Sequence, residues 1–257
     1  MVHVLILRAA GTNCEIETAR AFKIAGSDPK ILRVNEVYRQ KLNLMDYEII
    51  AIPGGFSYGD DISSGKILAL ELRYFLREAL HRFISDGRLI IGICNGFQVL
   101  VKAGLLPAFE GPFIRQEATL AFNDIGYYHD RWVYLKCLNK NTPFTSHLKG
   151  IIELPVAHAE GKFIIGRDGL KKLERNNQIA LIYVDEKGRE ADFPYNPNGS
   201  VRNIAGVTNP EGNIMGLMPH PERFIHPYHY PNWTRCIKEA DGMKIFRSMV
   251  EYAKKKL

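Results

Sequence analysis

The first hundred residues alternate short apolar runs with segments of helical periodicity, and this alternation is the strongest constraint on the fold. Strands that alternate with helices pair in parallel, because each crossover helix then covers a face of the sheet. The sequence therefore predicts an α/β fold with an open, mostly parallel sheet and helices on both faces. The predicted strands are 2–7, 30–34, 46–52 and 88–93, and the predicted helices are 15–25 and 69–84.

Beyond about residue 112 the pattern changes to shorter strand-like pieces, and an amphipathic helix is predicted at 242–256. The 257 residues are 46% hydrophobic, which is enough to bury a sizeable core. No linker, repeat or low-complexity tract interrupts the chain, so we predict a single domain over 1–257. The later predicted strands are 132–138, 151–156, 178–184 and 214–218.

Charge and composition favour a soluble protein that does not bind nucleic acid. The formal net charge is +6, but the basic residues are spread along the chain, and a nucleic-acid-binding protein needs them clustered. No apolar stretch approaches the length of a membrane span, and the N-terminal run is typical of a first strand, so we expect a cytoplasmic protein without membrane contact. The four cysteines form no CxxC pair and are expected to be reduced thiols.

The segment GICNG at 92–96 joins a predicted strand to a predicted helix and is the thiol form of a nucleophile elbow. Its glycines allow a sharp turn, so Cys94 would project above the sheet at a helix N-terminus, where thiolate is favoured. The N–H of Asn95 would then face an oxyanion formed on the substrate. A buried structural cysteine explains this segment equally well until a partner base is found.

The sequence offers that base in PHPER at 219–223. A residue before proline is extended, so His220 and Glu222 are expected to lie on the same side of the chain. Glu222 could accept a hydrogen bond from one imidazole nitrogen, which leaves the other for the thiol proton. Alone, this segment is typical of a solvated surface turn. Together with the cysteine turn it predicts a Cys94–His220–Glu222 triad.

A second oxyanion donor is expected in IPGGFSYGD at 52–60, where Gly55 follows a strand and can present its N–H. A plain Pro-Gly turn is the alternative. The stretch 59–66 superficially resembles a phosphate loop, but five residues separate its glycines where a Walker A motif has four. We therefore predict no nucleotide site in this chain.

The remaining histidines and cysteines give weaker signals. His158 could line the site or support a turn, and the sequence does not decide between these roles. His226 and His229 lack neighbouring ligands at metal spacing, so a surface loop is expected and no metal site is predicted. Cys14 lies near the expected site without an evident base and is assigned no catalytic role. His3 is expected in the core.

Several longer motifs follow one another along the whole chain: GTNCE (11–15), PGGFSYGDD (53–61), GICNGFQVL (92–100), AHAEGKF (157–163), NPNGS (196–200) and IAGVTNPEGNIMGLMPHPER (204–223). With these motifs the chain resembles the class I glutamine amidotransferases, whose architecture is flavodoxin-like. Within that class it is similar to the glutaminase subunits of phosphoribosylformylglycinamidine synthase.

This resemblance implies that Cys94 forms a thioester with glutamine and releases glutamate and ammonia. The ammonia would pass to a larger synthetase subunit that uses ATP and Mg²⁺ to convert formylglycinamide ribonucleotide to the amidine. A small third subunit would accompany them, and no cofactor is expected in this chain. Matching motifs residue by residue implies that Cys94, His220 and Glu222 form the triad, that Gly55 and Asn95 donate to the oxyanion, and that Gln98 contacts glutamine.

The chain departs from the family pattern at Ala10, where the family has proline, and in the loosely matching segment 116–132. The segment 224–235 is also longer and more aromatic than expected. These departures affect the expected partner-facing surface. A cysteine peptidase on the same scaffold and a non-catalytic glutamine-sensing subunit remain as alternatives.

Overall fold

The predicted parallel strands form one half of a nine-stranded sheet in the computed structural model, which describes residues 1–257. The strands are β1 (His3–Arg8), β2 (Asp28–Arg33), β3 (Ile49–Ile52), β4 (Leu89–Ile93), β5 (Ala118–Ala121), β6 (His129–Cys137), β7 (Ile151–His158), β8 (Lys162–Ile165), β9 (Ile179–Val184), β10 (Ile204–Thr208) and β11 (Ile214–Leu217). The helices are α1 (Glu15–Ile24), α2 (Val34–Arg39), α3 (Lys66–Phe75), α4 (Arg77–Ser85), α5 (Asn95–Ala103), α6 (Arg167–Arg175) and α7 (Asp241–Lys256).

The sheet has the strand order β2-β1-β3-β4-β11-β10-β9-β6-β7, and β5 pairs with β8 in a separate antiparallel ribbon. Strands β2, β1, β3, β4 and β11 are mutually parallel, and every later pairing is antiparallel. Only β10 and β6 therefore run against the other seven, which confirms the mostly parallel sheet. The carboxyl ends of β1, β3, β4 and β11 meet at one edge, where ligands bind in sheets of this kind.

Helices cover both faces of the sheet, as predicted. The connection through α1 joins β1 to β2, its neighbour on one side. The connections through α2 and α3 lead in the opposite direction across the sheet, to β3 and then to β4. Because such crossovers are right-handed, α1 lies on one face and α3 on the other. Helix α7 packs on α1 through the edge-to-face pair Phe22 and Phe246, whose ring centroids are 4.9 Å apart, and α5 packs beside α3.

Both halves of the chain contribute to one contiguous hydrophobic cluster of buried residues. Strands β3 and β4 are buried at every position, which is typical of central parallel strands covered on both faces. No helix has the length and apolar character that a membrane crossing requires.

The structure corrects the predicted helix 69–84, which is divided into α3 and α4 at Leu76. Leu76 leaves the helical region (φ −119°, ψ 5°) but stays buried. The apolar spacing of the sequence therefore continues across the break, and the spacing alone predicts one continuous helix. The predicted strand 46–52 begins only at Ile49, because Leu44–Asp46 forms a 3₁₀ turn whose preceding residue, Asn43, accepts a hydrogen bond from the N–H of Met45.

Two other expectations are wrong. His3 is not in the core: its side chain is 47% exposed and lies 3.4 Å from the carboxylate of Asp28 on the neighbouring strand end. The predicted strand 30–34 ends one residue earlier, since Val34 begins α2. Elements α2, β5, β8, α6 and β10 were not predicted.

Candidate active site

Cys94 lies at the sharp turn between β4 and α5, where the sequence predicts it. Its backbone has a positive φ (φ 50°, ψ −104°), a conformation that costs energy for any residue with a Cβ. The N–H of Cys94 donates to the carbonyl oxygen of Leu217 at 2.8 Å, which holds the turn against β11. The thiol is thus fixed at the N-terminus of α5, at the carboxyl end of β4.

The glycines of GICNG are required by close packing around this turn. A Cβ on Gly96 would lie 2.7 Å from the carbonyl carbon of Ile52, at the end of β3. A Cβ on Gly92 would lie 2.5 Å from the carbonyl oxygen of Gly96. Helix α5 therefore starts in direct contact with the strand ends, and this contact is possible only without side chains at both positions.

His220 and Glu222 form a buried pair just after β11. His220 is extended (φ −102°, ψ 90°), as the following proline requires, and its N–H donates to Pro155 at 2.8 Å. Its Nδ1 lies 2.6 Å from Oε1 of Glu222, and the two residues are only 2% and 1% exposed. This short buried contact is the arrangement expected of a histidine base oriented by a carboxylate.

The electrostatic surroundings favour a charged imidazole. Burial alone would lower the pKa of His220, but the Glu222 carboxylate and then the Cys94 sulfur outweigh burial and raise that pKa well above its ordinary value. The Nε2 atom of His220 is buried and has no hydrogen-bond partner of its own. The structure thus brings Cys94 and His220 into one site from distant parts of the sequence, with one ring nitrogen free.

Two backbone N–H groups at this edge have no protein acceptor. Gly55 has φ 140°, and a Cβ there would lie 2.7 Å from the backbone nitrogen of Asn13. Gly55 pairs with Thr12 in an isolated β-bridge. The hydrogen bonds of this bridge are made by the residues on either side of the two, so the N–H of Gly55 itself stays free. Asn95 is the first residue of α5, so its N–H has no acceptor within the helix.

The side chains of Asn95 and Gln98 connect the loops of the site. Oδ1 of Asn95 accepts a hydrogen bond from the N–H of Ser57 at 3.2 Å, and its Nδ2 donates to Oε1 of Gln98 at 2.9 Å. Gln98 in turn donates to the carbonyl oxygen of Glu160 at 2.6 Å. These bonds tie the loop that carries Gly55 and the loop after β7 to α5, a function that sequence motifs alone did not reveal.

The structure resolves the open question about His158, which supports a turn. Asn123 accepts from Nδ1 of His158 at 3.1 Å and from the N–H of Gly161 at 3.0 Å, and it donates to the carbonyl oxygen of His158 at 2.8 Å. Burial, followed by the charges of His220 and His129, lowers the pKa of His158 to about 3. The ring is therefore neutral, and its Nε2 is buried without a partner.

The motif NPNGS supports the same loop from the other side. Asn198 donates to the carbonyl oxygen of Gly161 at 2.9 Å, and Ser200 accepts from the N–H of Phe163 at 2.9 Å. The loop in turn places the carbonyl oxygen of Ala157 3.7 Å from the sulfur of Cys94. These polar side chains thus fix the wall that faces the thiol.

Tyr128 is a further residue of the site that the sequence did not identify, because segment 116–132 matches the family loosely. Burial and then the nearby Cys94 sulfur raise the pKa of Tyr128. Its ring lies 6.5 Å from that of Phe56, the residue after Gly55, and both rings are about half exposed. The two aromatic side chains therefore form a rim beside the thiol.

Cys14 is closer to the triad than the sequence suggested. Its sulfur is fully buried, and its donor atom lies within 4.8 Å of those of His220 and Glu222. Three such groups could in principle approach a metal ion, but Arg223 already donates to this sulfur at 3.3 Å, which disfavours a cation there. His226 and His229 contact each other through their rings, 5.4 Å apart, and belong to no such group.

A thiol at a strand-to-helix turn, served by a histidine and a carboxylate on the next strand of a doubly wound sheet, defines a class of enzymes that attack acyl carbons through a covalent thioester. Residues 1–253 match the model of the CobB/CobQ-like glutamine amidotransferase domain, and the chain belongs to this family.

Individual relatives match over nearly their whole length. The chain is 43% identical over 261 residues to phosphoribosylformylglycinamidine synthase subunit PurQ of Dehalococcoides mccartyi, with 98% of each chain covered. It is 41% identical over 268 residues to the subunit of the same name from Archaeoglobus fulgidus, with 99% of this chain and 98% of that one covered. A chain in the structure of PurLQS from Thermotoga maritima superposes with a TM-score of 0.75 at 32% identity, with 98% of both chains covered.

Proposed function

We propose that this chain hydrolyses glutamine to glutamate and ammonia and supplies the ammonia to a synthetase subunit, which converts formylglycinamide ribonucleotide to formylglycinamidine ribonucleotide with ATP in purine biosynthesis. The observation that carries the hydrolytic part is the buried His220–Glu222 pair, 2.6 Å apart, beside a cysteine held at a strand-to-helix turn. The synthetase and its substrate follow from the relatives, which are named as subunits of phosphoribosylformylglycinamidine synthase.

The residues fit successive steps of a thioester mechanism. The Cys94 thiolate attacks the side-chain amide carbon of glutamine, and the N–H groups of Gly55 and Asn95 stabilise the oxyanion that forms. The His220 imidazolium, held by Glu222, gives its proton to the departing ammonia. The neutral imidazole then takes a proton from water, which attacks the thioester and releases glutamate and the free thiol.

Gln98 supports this reaction through its hydrogen bonds to neighbouring loops. Its side-chain amide is bonded to Asn95 and to the carbonyl oxygen of Glu160, so it fixes two loops that enclose the thiol. We propose that its contact with glutamine is formed on the same side chain once substrate binds, as family similarity implies.

The proposed partners are a larger synthetase subunit and a small third subunit, since a similar chain occurs in the structure of PurLQS. ATP and Mg²⁺ would bind the synthetase, and this chain would need no cofactor of its own for the hydrolysis. The complex would work in the cytoplasm.

The test is the variant Cys94→Ala in the assembled complex. Glutamine-dependent amidine formation should disappear, while free ammonium should still support synthesis, because only the ammonia source is lost. Cys137→Ala, which changes a buried cysteine on β6, is the matched control and should retain both activities. Glutamine-dependent synthesis by Cys94→Ala at the wild-type rate would overturn the proposal.

Labelling separates the proposal from the peptidase alternative. A glutamine-analogue affinity label should add one adduct at Cys94, detected by mass spectrometry of the intact chain and its peptides. A peptidase of the same fold would leave the thiol unlabelled under the same conditions. Failure to label Cys94 would therefore contradict a glutamine-binding site.

A further inference from the structure

The Glu222 carboxylate has one oxygen without a hydrogen-bond partner, and a partly buried cation, Arg223, follows it in the chain. Oε1 of Glu222 contacts His220, but Oε2 is buried and has no hydrogen-bond partner. Arg223 is the next residue in the chain, and its guanidinium feels the charge of Glu222. No ion pair joins these two groups, although Arg223 contacts Sγ of Cys14 and this sulfur lies within 4.8 Å of a Glu222 carboxylate oxygen. An arginine and a carboxylate that meet directly form a bidentate pair, which is among the strongest contacts available to either group.

Arg223 instead donates to the sulfur of Cys14. The distance from Nη2 to Sγ is 3.3 Å, and Sγ also lies 3.2 Å from Oδ1 of Asn13. Cys14 is fully buried and immediately precedes α1, so its position is set by the fold and not by solvent. The guanidinium is thus directed to a weak sulfur acceptor although a free carboxylate oxygen is nearby.

The sulfur also packs against the imidazole. A Cβ on Gly54 would lie 2.7 Å from Cε1 of His220 and 3.3 Å from Sγ of Cys14, so the backbone of Gly54 lies directly beside both the ring and the sulfur. The donor atoms of Cys14, His220 and Glu222 lie within 4.8 Å of one another. The Cys14 sulfur therefore lies beside both partners of the pair that the reaction depends on, within 4.8 Å of a donor atom of each.

We propose that Cys14 is a positioning residue: its sulfur restrains the guanidinium of Arg223, so that Glu222 remains committed to His220. This inference rests on the proposed function only for its biological meaning. The protonation state of the Cys94–His220 pair can be measured without glutamine.

Several titratable groups from different parts of the chain surround His220 and influence its charge. Arg223 itself also senses Glu17 on α1, which offers the released guanidinium an alternative acceptor. The titratable neighbours of the ring or of its partners are Cys94, Cys14, Glu222, Arg223, His158 and Tyr128. Besides Glu17, Cys14 and Glu222 are the groups that act on Arg223, and the double-mutant cycle below separates this route from any direct effect of Cys14 on the ring.

The test is the pH profile of alkylation at Cys94, followed by peptide mass spectrometry so that the other cysteines do not interfere. Cys14→Ala should let Arg223 turn to Glu222 and weaken the imidazolium, which moves the alkylation midpoint upward by about one pH unit, the size of effect expected of one charge at hydrogen-bond distance. Cys14→Ser, which keeps an acceptor for Arg223, should restore most of the wild-type profile.

A double-mutant cycle identifies the route of the effect. In an Arg223→Gln background, Cys14→Ala should produce no further shift, because the competing cation has been removed. Cys137→Ala is the control for the loss of a buried thiol elsewhere and should leave the midpoint unchanged. With glutamine, Cys14→Ala should lower kcat and leave KM near the wild-type value.

Two results would overturn the proposal: an unchanged midpoint in folded Cys14→Ala, or a shift of equal size with and without Arg223. If Cys14→Ala does not fold, the same comparison is made with Cys14→Val, which also removes the acceptor. A larger upward shift with Arg223 present than with Arg223→Gln supports the role, and equal shifts contradict it. Failure of the proposed function would appear separately, as glutaminase activity that survives Cys94→Ala.

Discussion

Replacing Glu222 by glutamine removes the charge of the triad carboxylate while keeping its shape. An amide oxygen can still accept from Nδ1 of His220, so the 2.6 Å contact is weakened but not deleted. A hydrogen bond to a charged group contributes about 1.5–3 kcal/mol and a neutral one about 0.5–1.5 kcal/mol, which leaves a difference of roughly 1–2 kcal/mol. Both residues are buried, so solvent does not screen this difference.

We expect Glu222→Gln to lower kcat for glutamine hydrolysis by about 5–30-fold, which is the rate equivalent of roughly 1–2 kcal/mol. The pKa of His220 should fall at the same time, because burial then acts with less opposition from Glu222. The measurement is glutamate release as a function of glutamine concentration and pH, in the assembled complex.

Glu211→Gln is the matched control, since Glu211 lies in the exposed turn between β10 and β11, at the opposite end of the strand that leads to His220. It should leave kcat and the pH profile unchanged. A kcat for Glu222→Gln within twofold of wild type, with an unshifted profile, would refute the view that this carboxylate charge orients and stabilises the imidazolium.

Three further predictions concern packing and pH. Gly54→Ala places a methyl group 2.7 Å from Cε1 of His220, so kcat should fall about tenfold while thermal unfolding is little changed; an unchanged kcat would show that the ring can move freely. Gly96→Ala forces α5 away from Ile52 and should lower the free energy of unfolding by about 3 kcal/mol and Tm by roughly 6–12 °C in calorimetry; a wild-type Tm would contradict this contact. His158 is neutral when folded, with a pKa of about 3 against 6.5, so stability should decline as pH falls below about 6.5, by about 3 kcal/mol at pH 4.5. His158→Gln should lack this loss in urea titrations at pH 7 and 4.5.

The parallel half of the fold could be predicted because its signals are local. Strands β3 and β4 are buried at every position and appear in the sequence as continuous apolar runs, and the turn at Cys94 is marked by its glycines. The break at Leu76 could not be predicted in the same way, because a buried leucine continues the helical spacing on both sides of it. The antiparallel half was found only in part, since short strands such as β10 carry little periodicity.

The contact between His220 and Glu222 was predictable for a related reason. The dipeptide His-Pro fixes an extended backbone at His220, and Glu222 follows two residues later, so sequence spacing alone places the two side chains together. Cys14 gave no comparable signal. Its relation to Arg223 depends on the packing of α1 against the end of β11, which no local pattern encodes.

The family motifs AHAEGKF and NPNGS have a structural role in this protein. Neither supplies a member of the proposed triad, yet Asn198 and Ser200 satisfy the backbone of the segment that follows β7, and Ala157 near the end of β7 directs its carbonyl to the thiol. A buried loop needs a partner for every polar backbone group, and few side chains fit at each point, so such a loop restricts its sequence as strongly as catalysis does. A substitution in NPNGS should therefore affect catalysis through displacement of this wall, although no residue of the motif takes part in the bond-making steps.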